Sequence, residues 1–192
     1  SDQSKNVLLL TAETYSKYIN PHDNTVLPLF GDAATATLIT GIDTEKSGLN
    51  GFVLGTDGSG YNKLIVPVGG MKNRFGETNV VETTDDFGNI RTNMDLFMDG
   101  SAISDFALEV VPETLEKVLA KANLTKGEVD YFVFHQANKF MLEFLQMKCD
   151  LLGYPYWNDV KEFGNTVSSS IPIAIADMMK TNTDKIIQKV LS

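Results

Sequence analysis

The chain has 192 residues, 43% of them hydrophobic and 21% charged, with one tryptophan and no low-complexity tract. That composition suits a single substantial globular core or two small ones. A formal charge of −9, with lysines and arginines that never gather into a dense run, argues against nucleic-acid binding. No apolar stretch approaches the roughly 20 residues of a membrane span, and the opening SDQSKNVLLL lacks the basic region of a secretory signal. No membrane association is therefore expected, and the cytoplasm is the expected location. The single cysteine, Cys149, has no disulfide partner, and with two histidines there is no zinc-type cluster and no expected metal site.

Strand and helix signals alternate along the chain, the pattern of a layered α/β fold. Asn6 to Thr11 reads as a buried strand. Leu29 to Thr40 reads as a second, entered through FGDAATATLIT, whose small residues suit close packing. Leu49 to Leu54 is a third candidate. From Gly55 to Asn93 the chain is rich in glycine, asparagine and threonine and predicts an excursion or lid, with one short strand at Leu64 to Val66. In SDFALEVVPETLEKVLAKANL, Phe106, Val110, Leu115, Val118, Leu119 and Ala122 recur at helical spacing, with Pro112 expected to kink or divide the helix. Asp130 to Phe134 predicts a buried strand. Lys139 to Leu152 predicts a helix with Phe140, Met141, Phe144, Leu145, Leu151 and Leu152 on its apolar side. After FGNTVSSS a further helix is expected, capped by serines and carrying Pro172 in its first turn. The chain opens without methionine and closes on KIIQKVLS, which reads as an unfinished strand, so it is expected to be an internal piece of a longer polypeptide.

Two polar turns stand where an α/β sheet gathers functional residues, just beyond strand ends and before helix starts. In FHQANKF, His135 and Asn138 follow the YFVF strand, and Asn138 suits a helix cap as well as chemistry. In FGNTVSSS, Gly164 and Asn165 make a turn and Ser168 to Ser170 suit capping. Each motif has a packing or capping explanation by itself. The two together suggest a site.

The pairing of HQAN with GNT about thirty residues later, followed by small residues and IP, resembles the β-ketoacyl-acyl carrier protein synthase III family of the thiolase fold. LFGDAATATLI, LFMDGSAISDFALEVVPE and VDYFVFHQAN agree with that family in order and spacing, and the likeness runs from about Lys5 to Leu191. It implies a layered αβαβα architecture, here mainly the C-terminal half and incomplete. Residues 1–43 would then hold the last strands of the N-terminal thiolase-like half, and residues 44–192 the C-terminal half without its final strands. The resemblance also implies decarboxylative condensation of an acyl primer with a malonyl carrier protein, in fatty-acid or related lipid and secondary-metabolite biosynthesis. It assigns His135 and Asn165 to the catalytic positions and Met98, Gly100, Ala137 and Asn138 to the phosphopantetheine channel. Lys139 and Lys148 fall near its carrier-protein docking helix. The substrates it implies ride on coenzyme A or acyl carrier protein, with no cofactor, and it implies a homodimer.

Cys149 does not match the family's nucleophile, which precedes this segment, so residues 1–192 alone are expected to be inactive in condensation. Asn24 stands before FGD where many acetyl-CoA-using members carry an arginine that stacks on adenine; an asparagine offers no such planar guanidinium. Acyl transfer to an oxygen or nitrogen nucleophile, with His135 as general base, and a non-catalytic acyl-binding subunit remain alternatives.

Overall fold

The computed structural model describes residues 5–41, 48–49, 51–184 and 186–192. The opening apolar run forms β1 (Asn6–Glu13), which pairs antiparallel with β2 (Ala33–Thr40) along its whole length, Asn6 opposite Thr40 and Glu13 opposite Ala33. β2 starts four residues later than the sequence predicts. Leu29 to Asp32 leaves the ladder because its backbone is engaged elsewhere: Phe30 makes an isolated parallel bridge to Asn165. The predicted domain boundary at residues 43 and 44 lies outside the described residues.

Four short strands follow: β3 (Leu64–Ile65), β4 (Glu82–Thr84), β5 (Ile90–Thr92) and β6 (Phe97–Met98). β3 pairs with β6, and β4 with β5, both antiparallel. The β4–β5 hairpin was not legible in the glycine-rich excursion. It is set by Asp85, whose carboxylate accepts from the backbone N–H of Phe87 and of Asn89 at 3.0 Å each. Arg91 fastens the hairpin to the 20–27 loop, donating to Asp23 at 2.7 Å and to Asp85 at 3.0 Å.

Helix α1 (Gly100–Ala122) begins four residues before the expected Ser104 because Asp99 caps it, accepting from Ala102 N–H at 3.1 Å. It closes on Asn123 in the left-handed region. Pro112 lies inside α1 without dividing it; Leu108 and Val111 before it, and Leu115 and Leu119 after it, pack into one core, and that burial holds the helix continuous. Phe106 and Val110, predicted for the packed side, remain exposed. The predicted strand at Leu49 to Leu54 also fails. Asn50 lies outside the described residues, and Gly51 to Leu54 forms no strand: Gly51 has φ +71, and the carbonyl of Phe52 accepts from Lys121 of α1 at 2.6 Å.

The remaining elements are β7 (Tyr131–Val133), α2 (Lys139–Lys148), β8 (Tyr156–Trp157), α3 (Val160–Phe163), α4 (Ser170–Thr181) and β9 (Val190–Leu191). They give a parallel sheet in the order β8-β7-β9. The expected closing strand is thus two residues within KIIQKVLS, of which Lys185 lies outside the described residues. α2 stops at Cys149 because Asp150 takes φ +53. Its buried side is Met141, Leu142 and Leu145, whereas Phe140 and Phe144, predicted to be packed, are 73% and 50% exposed, and Leu152 is exposed beyond the helix end. Apolar residues cover more than half of this helix, and the core takes only one side.

Side-chain alternation along β7 sets the layers. Phe132, with Phe134 just beyond the strand, faces Leu115, Leu119, Met141, Leu142 and Leu145 of α1 and α2. Tyr131 and Val133 face Ala174 and Met178 of α4, which also touches β2. The order is therefore β1–β2, α4, β8–β7–β9, then α1 with α2: four layers of an αβαβα stack. Each fully buried side chain at these seams, such as Phe132 or Met178, contributes about 1.5–3 kcal/mol. β1 forms where the sequence predicts but is not the buried strand expected there: Val7 to Leu10 are exposed. Among the described residues no helix is long and apolar enough to cross a membrane.

Candidate active site

His135 follows β7 by two residues, at the strand's carboxyl end. The turn that carries it is pinned from both sides. Ala137 N–H donates to the His135 carbonyl at 2.9 Å, and Asn138 caps α2 by accepting from Met141 N–H at 2.9 Å. Buried Gln136 donates to the Phe134 carbonyl at 2.7 Å and accepts from Asp159 N–H at 3.0 Å, which ties the turn to α3. The imidazole reaches solvent through a cleft while protein surrounds the rest of the ring, and this partial desolvation holds its pKa below the usual histidine value. Its Nδ1 lies 2.6 Å from Oγ of Ser170, leaving the Nε2 edge for the cleft.

Asn165 arrives from a different element, the turn after α3, and is held at three points. Its N–H donates to the Leu29 carbonyl and its own carbonyl accepts from Gly31 N–H, both at 2.9 Å. Its side-chain Oδ1 accepts from Val167 N–H at 3.0 Å, so the amide Nδ2 is the group left to donate outward. Val167 adopts φ +53 to present that N–H. A β-branched residue in the left-handed region carries about 1–3 kcal/mol of strain, and such residues cluster at functional sites.

His135 and Asn165 line one cleft of about 760 Å³, together with Met98, Gly100, Ala137 and Asn138. Leu29, Phe30, Ile103 and Val110 make much of its wall apolar. All six residues singled out from the sequence for catalysis and for the channel thus meet around a single space. The β3–β6 ladder and the Asp99 cap place Met98 and Gly100, and a Lys63–Asp99 ion pair at 3.0 Å supports that cap.

Lys139 and Lys148 lie outside the cleft, exposed on α2. Nine helical positions put them about 13 Å and half a revolution apart, so they do not form one patch. Lys139 stands 3.8 Å from Glu143. Exposed Phe140, Phe144 and Met147 form a stripe between the two lysines. Asn24 is exposed, its N–H donating to Asn89 at 3.1 Å.

Cys149 sits apart from the cleft in the α1–α2 core, 3% exposed, and burial pushes its thiol up to about 11.

The serines before α4 do not act as the expected caps. Ser169, at the cap position, makes no capping bond and instead lies 2.8 Å from Thr11 Oγ1; Ser168 donates to Glu13 at 2.6 Å. Ser170 is committed to His135. Sequence reasoning missed that contact because a serine at a helix start is equally at home as a cap, and only the fold brings it to a histidine 35 positions away.

Four α/β layers, with a histidine from the loop after β7 and an asparagine from the turn after α3 meeting in one apolar cleft, define a protein of the thiolase-like fold. Models of the 3-oxoacyl-[acyl-carrier-protein] synthase III family match residues 1–58, and of that family's C-terminal part residues 119–192. The chain belongs to the β-ketoacyl-[acyl-carrier-protein] synthase III family. It is 32% identical over 179 residues to the Lactococcus lactis β-ketoacyl-[acyl-carrier-protein] synthase III, covering 90% of this chain and 50% of that protein. It is 34% identical over 191 residues to the Clostridium novyi protein of the same name, covering 97% and 55%. A crystal structure of a 3-oxoacyl-(acyl-carrier-protein) synthase III superposes with a TM-score of 0.89 at 38% identity, covering 96% of this chain and 55% of that one. The Burkholderia xenovorans 3-oxoacyl-(acyl-carrier protein) synthase gives 0.77 at 32% identity, covering 97% and 51%. The chain spans about half the length of the curated relatives it matches.

Proposed function

We propose that the intact protein is an acyltransferase that joins an acyl primer to a malonyl carrier protein by decarboxylative Claisen condensation, in fatty-acid or related lipid biosynthesis. One observation carries the proposal: the convergence of His135 and Asn165 on one apolar cleft, each with its inner polar atom already engaged and its outer nitrogen left free. The primer is held as a thioester on a cysteine. Loss of CO₂ from the malonyl thioester leaves the bonding electron pair as an enolate, with negative charge on the thioester oxygen. His135 Nε2–H and Asn165 Nδ2–H donate to that oxygen. The enolate carbon then attacks the primer carbonyl, the new carbon–carbon bond forms, and the cysteine thiolate departs. Preorganised donors of this kind are worth about 10² to 10³ in rate each. Met98, Gly100, Ala137 and Asn138 are the residues we assign to the phosphopantetheine arm; the small Gly100 and Ala137 leave room for a thin extended thioester.

Cys149 is not the nucleophile in this scheme, because it is buried away from the cleft with a raised pKa. We place that cysteine in the intact protein outside residues 1–192 and assign no condensing activity to residues 1–192 alone. For the carrier protein we propose docking on α2, where Lys139 and Lys148 flank the Phe140, Phe144 and Met147 stripe and suit an acidic partner with an apolar seam. No cofactor is required beyond the thioester carriers, and the working unit we propose is a homodimer.

The test is release of CO₂ from malonyl carrier protein by the intact protein, with and without primer. Decarboxylation well above background, lost by about 10² or more in His135→Ala and in Asn165→Ala, is the expected result. Release at background, with acyl transfer to an oxygen or nitrogen acceptor instead, overturns it.

A further inference from the structure

Ser170 is the first residue of α4, and it is 2% exposed. Its hydroxyl lies 2.6 Å from Nδ1 of His135, and neither atom has another hydrogen-bond partner among the described residues. Its two neighbours in the serine run are committed elsewhere, Ser169 to Thr11 and Ser168 to Glu13. The contact at Ser170 is therefore specific to that position and spans 35 residues of chain.

Two proton arrangements fit the distance. In one, His135 carries its hydrogen on Nδ1 and gives it to Ser170, whose own O–H then has no acceptor in a nearly sealed position. A buried polar group left without its hydrogen bond costs about 1–3 kcal/mol. In the other, the serine O–H donates to an unprotonated Nδ1, both atoms are satisfied, and the ring hydrogen sits on Nε2. The second arrangement wins by the cost of the orphaned hydroxyl. It also leaves an N–H, rather than a lone pair, on the ring edge that opens to the cleft. Protonation of both ring nitrogens is disfavoured here as well, since Nδ1 faces the N-terminal end of a twelve-residue helix.

We propose that Ser170 is a positioning residue, donating its hydroxyl hydrogen to Nδ1 of His135 and so fixing the neutral tautomer that presents Nε2–H to the cleft. The consequence for catalysis rests on the role proposed above for His135; the tautomer itself does not. With Ser170 in place His135 acts as a fixed donor toward a developing oxyanion. Without it the ring is free to rotate or to exchange tautomers, and part of the population offers the cleft a lone pair.

The experiment is ¹⁵N NMR of the intact protein labelled in histidine, with His135 assigned by loss of its signals in His135→Gln. Wild-type protein is expected to show an Nε2–H ring with a pyridine-like Nδ1. Ser170→Thr, which keeps the hydroxyl, is expected to match it. Ser170→Ala is expected to shift both ring nitrogens toward a tautomer mixture. It should also lower kcat for malonyl decarboxylation about tenfold with little change in KM, the loss of one ordinary hydrogen bond. If the alanine variant fails to fold, Ser170→Cys, similar in size and a weak donor, carries the same readout. Ring signals in Ser170→Ala or Ser170→Cys that superpose on wild type overturn the proposal. An intact protein that releases no CO₂ but shows the tautomer shift in Ser170→Ala overturns the proposed function and leaves the positioning role standing.

Discussion

Phe30 and Asn165 form a single parallel β-bridge, through which the segment before β2 holds the candidate catalytic asparagine by its backbone. The residues on either side of Phe30 make the two bonds, Leu29 accepting from and Gly31 donating to Asn165. A side chain at position 31 has no room: a Cβ there would stand 3.0 Å from the carbonyl of Phe163, two residues before Asn165. Gly31→Ala is therefore expected to push the Asn165 turn outward. Overpacking of this kind costs about 1–3 kcal/mol, read by urea unfolding, and decarboxylation should fall with it. Unchanged stability together with unchanged CO₂ release would contradict the role given to the bridge.

Arg91 is the second target. Its guanidinium, largely buried, bridges Asp23, which is 1% exposed, and Asp85 at the hairpin turn. Burial alone pushes the Asp23 pKa up, and it is the largest single effect. The Arg91 and Thr25 hydrogen bonds together outweigh it, so the net pKa is depressed. Arg91→Ala leaves a buried carboxylate without its partner, and a loss of about 3–5 kcal/mol is expected. Since the folded pKa of Asp23 is depressed, its stabilisation is full above the unfolded carboxylate pKa and disappears as pH falls through the folded one. The gap in urea midpoint between wild type and Arg91→Ala should accordingly narrow below about pH 4. A gap that stays constant down to pH 2 would show that the ion pair is not its source.

Pro112 offers a prediction of opposite sign. It sits in the interior of a continuous 23-residue helix, where it removes one backbone hydrogen bond and crowds the preceding turn. Packing on both sides overrides that cost without abolishing it. Pro112→Ala is expected to raise stability by about 1–3 kcal/mol, measured as an increase in urea midpoint with unchanged m-value. A decrease would mean that the proline ring itself fills space in the α1 seam.

What the sequence revealed about this site and what it concealed divide along physical lines. His135 and Asn138 were legible because they sit at the junction between an apolar run and an amphipathic run, which chain order alone shows, whereas Asn165 became legible only through the pairing of its GNT turn with HQAN. The strands β1 and β7 were legible for the same reason, as apolar runs with clear breaks. Ser170 and Gln136 were not, since their roles depend on partners brought together by the fold, His135 and Asp159, and Val167 was not, since its role rests on a left-handed backbone that a β-branched residue rarely adopts. Phe140 and Phe144 misled for a related reason. Helical periodicity reports that a residue is apolar and on a given face, but not whether anything covers that face, and on α2 among the described residues nothing does. The β4–β5 hairpin was hidden because its strands are three residues each and its turn is set by one aspartate.

Cys149 provides the sharpest check on which chemistry this chain can do. Its thiol is 3% exposed, packed among α1 and α2 residues, and burial raises its pKa from 9.0 to about 11. A catalytic thiol needs the reverse, a depressed pKa and access to substrate. Iodoacetamide at pH 8 should therefore leave Cys149 almost unlabelled in the folded protein and modify it readily in urea, as read by peptide mass spectrometry. A raised folded pKa means that the neutral thiol is the form the fold stabilises. That contribution is complete below about pH 9 and is lost as pH rises through about 11, because the unfolded chain releases its proton first. Wild type should lose stability over this window relative to Cys149→Ala, while condensation by the intact Cys149→Ala protein should stay near the wild-type rate. Fast labelling of the native thiol, or loss of condensation in a folded Cys149→Ala variant, would return this cysteine to the reaction and displace the nucleophile assigned elsewhere.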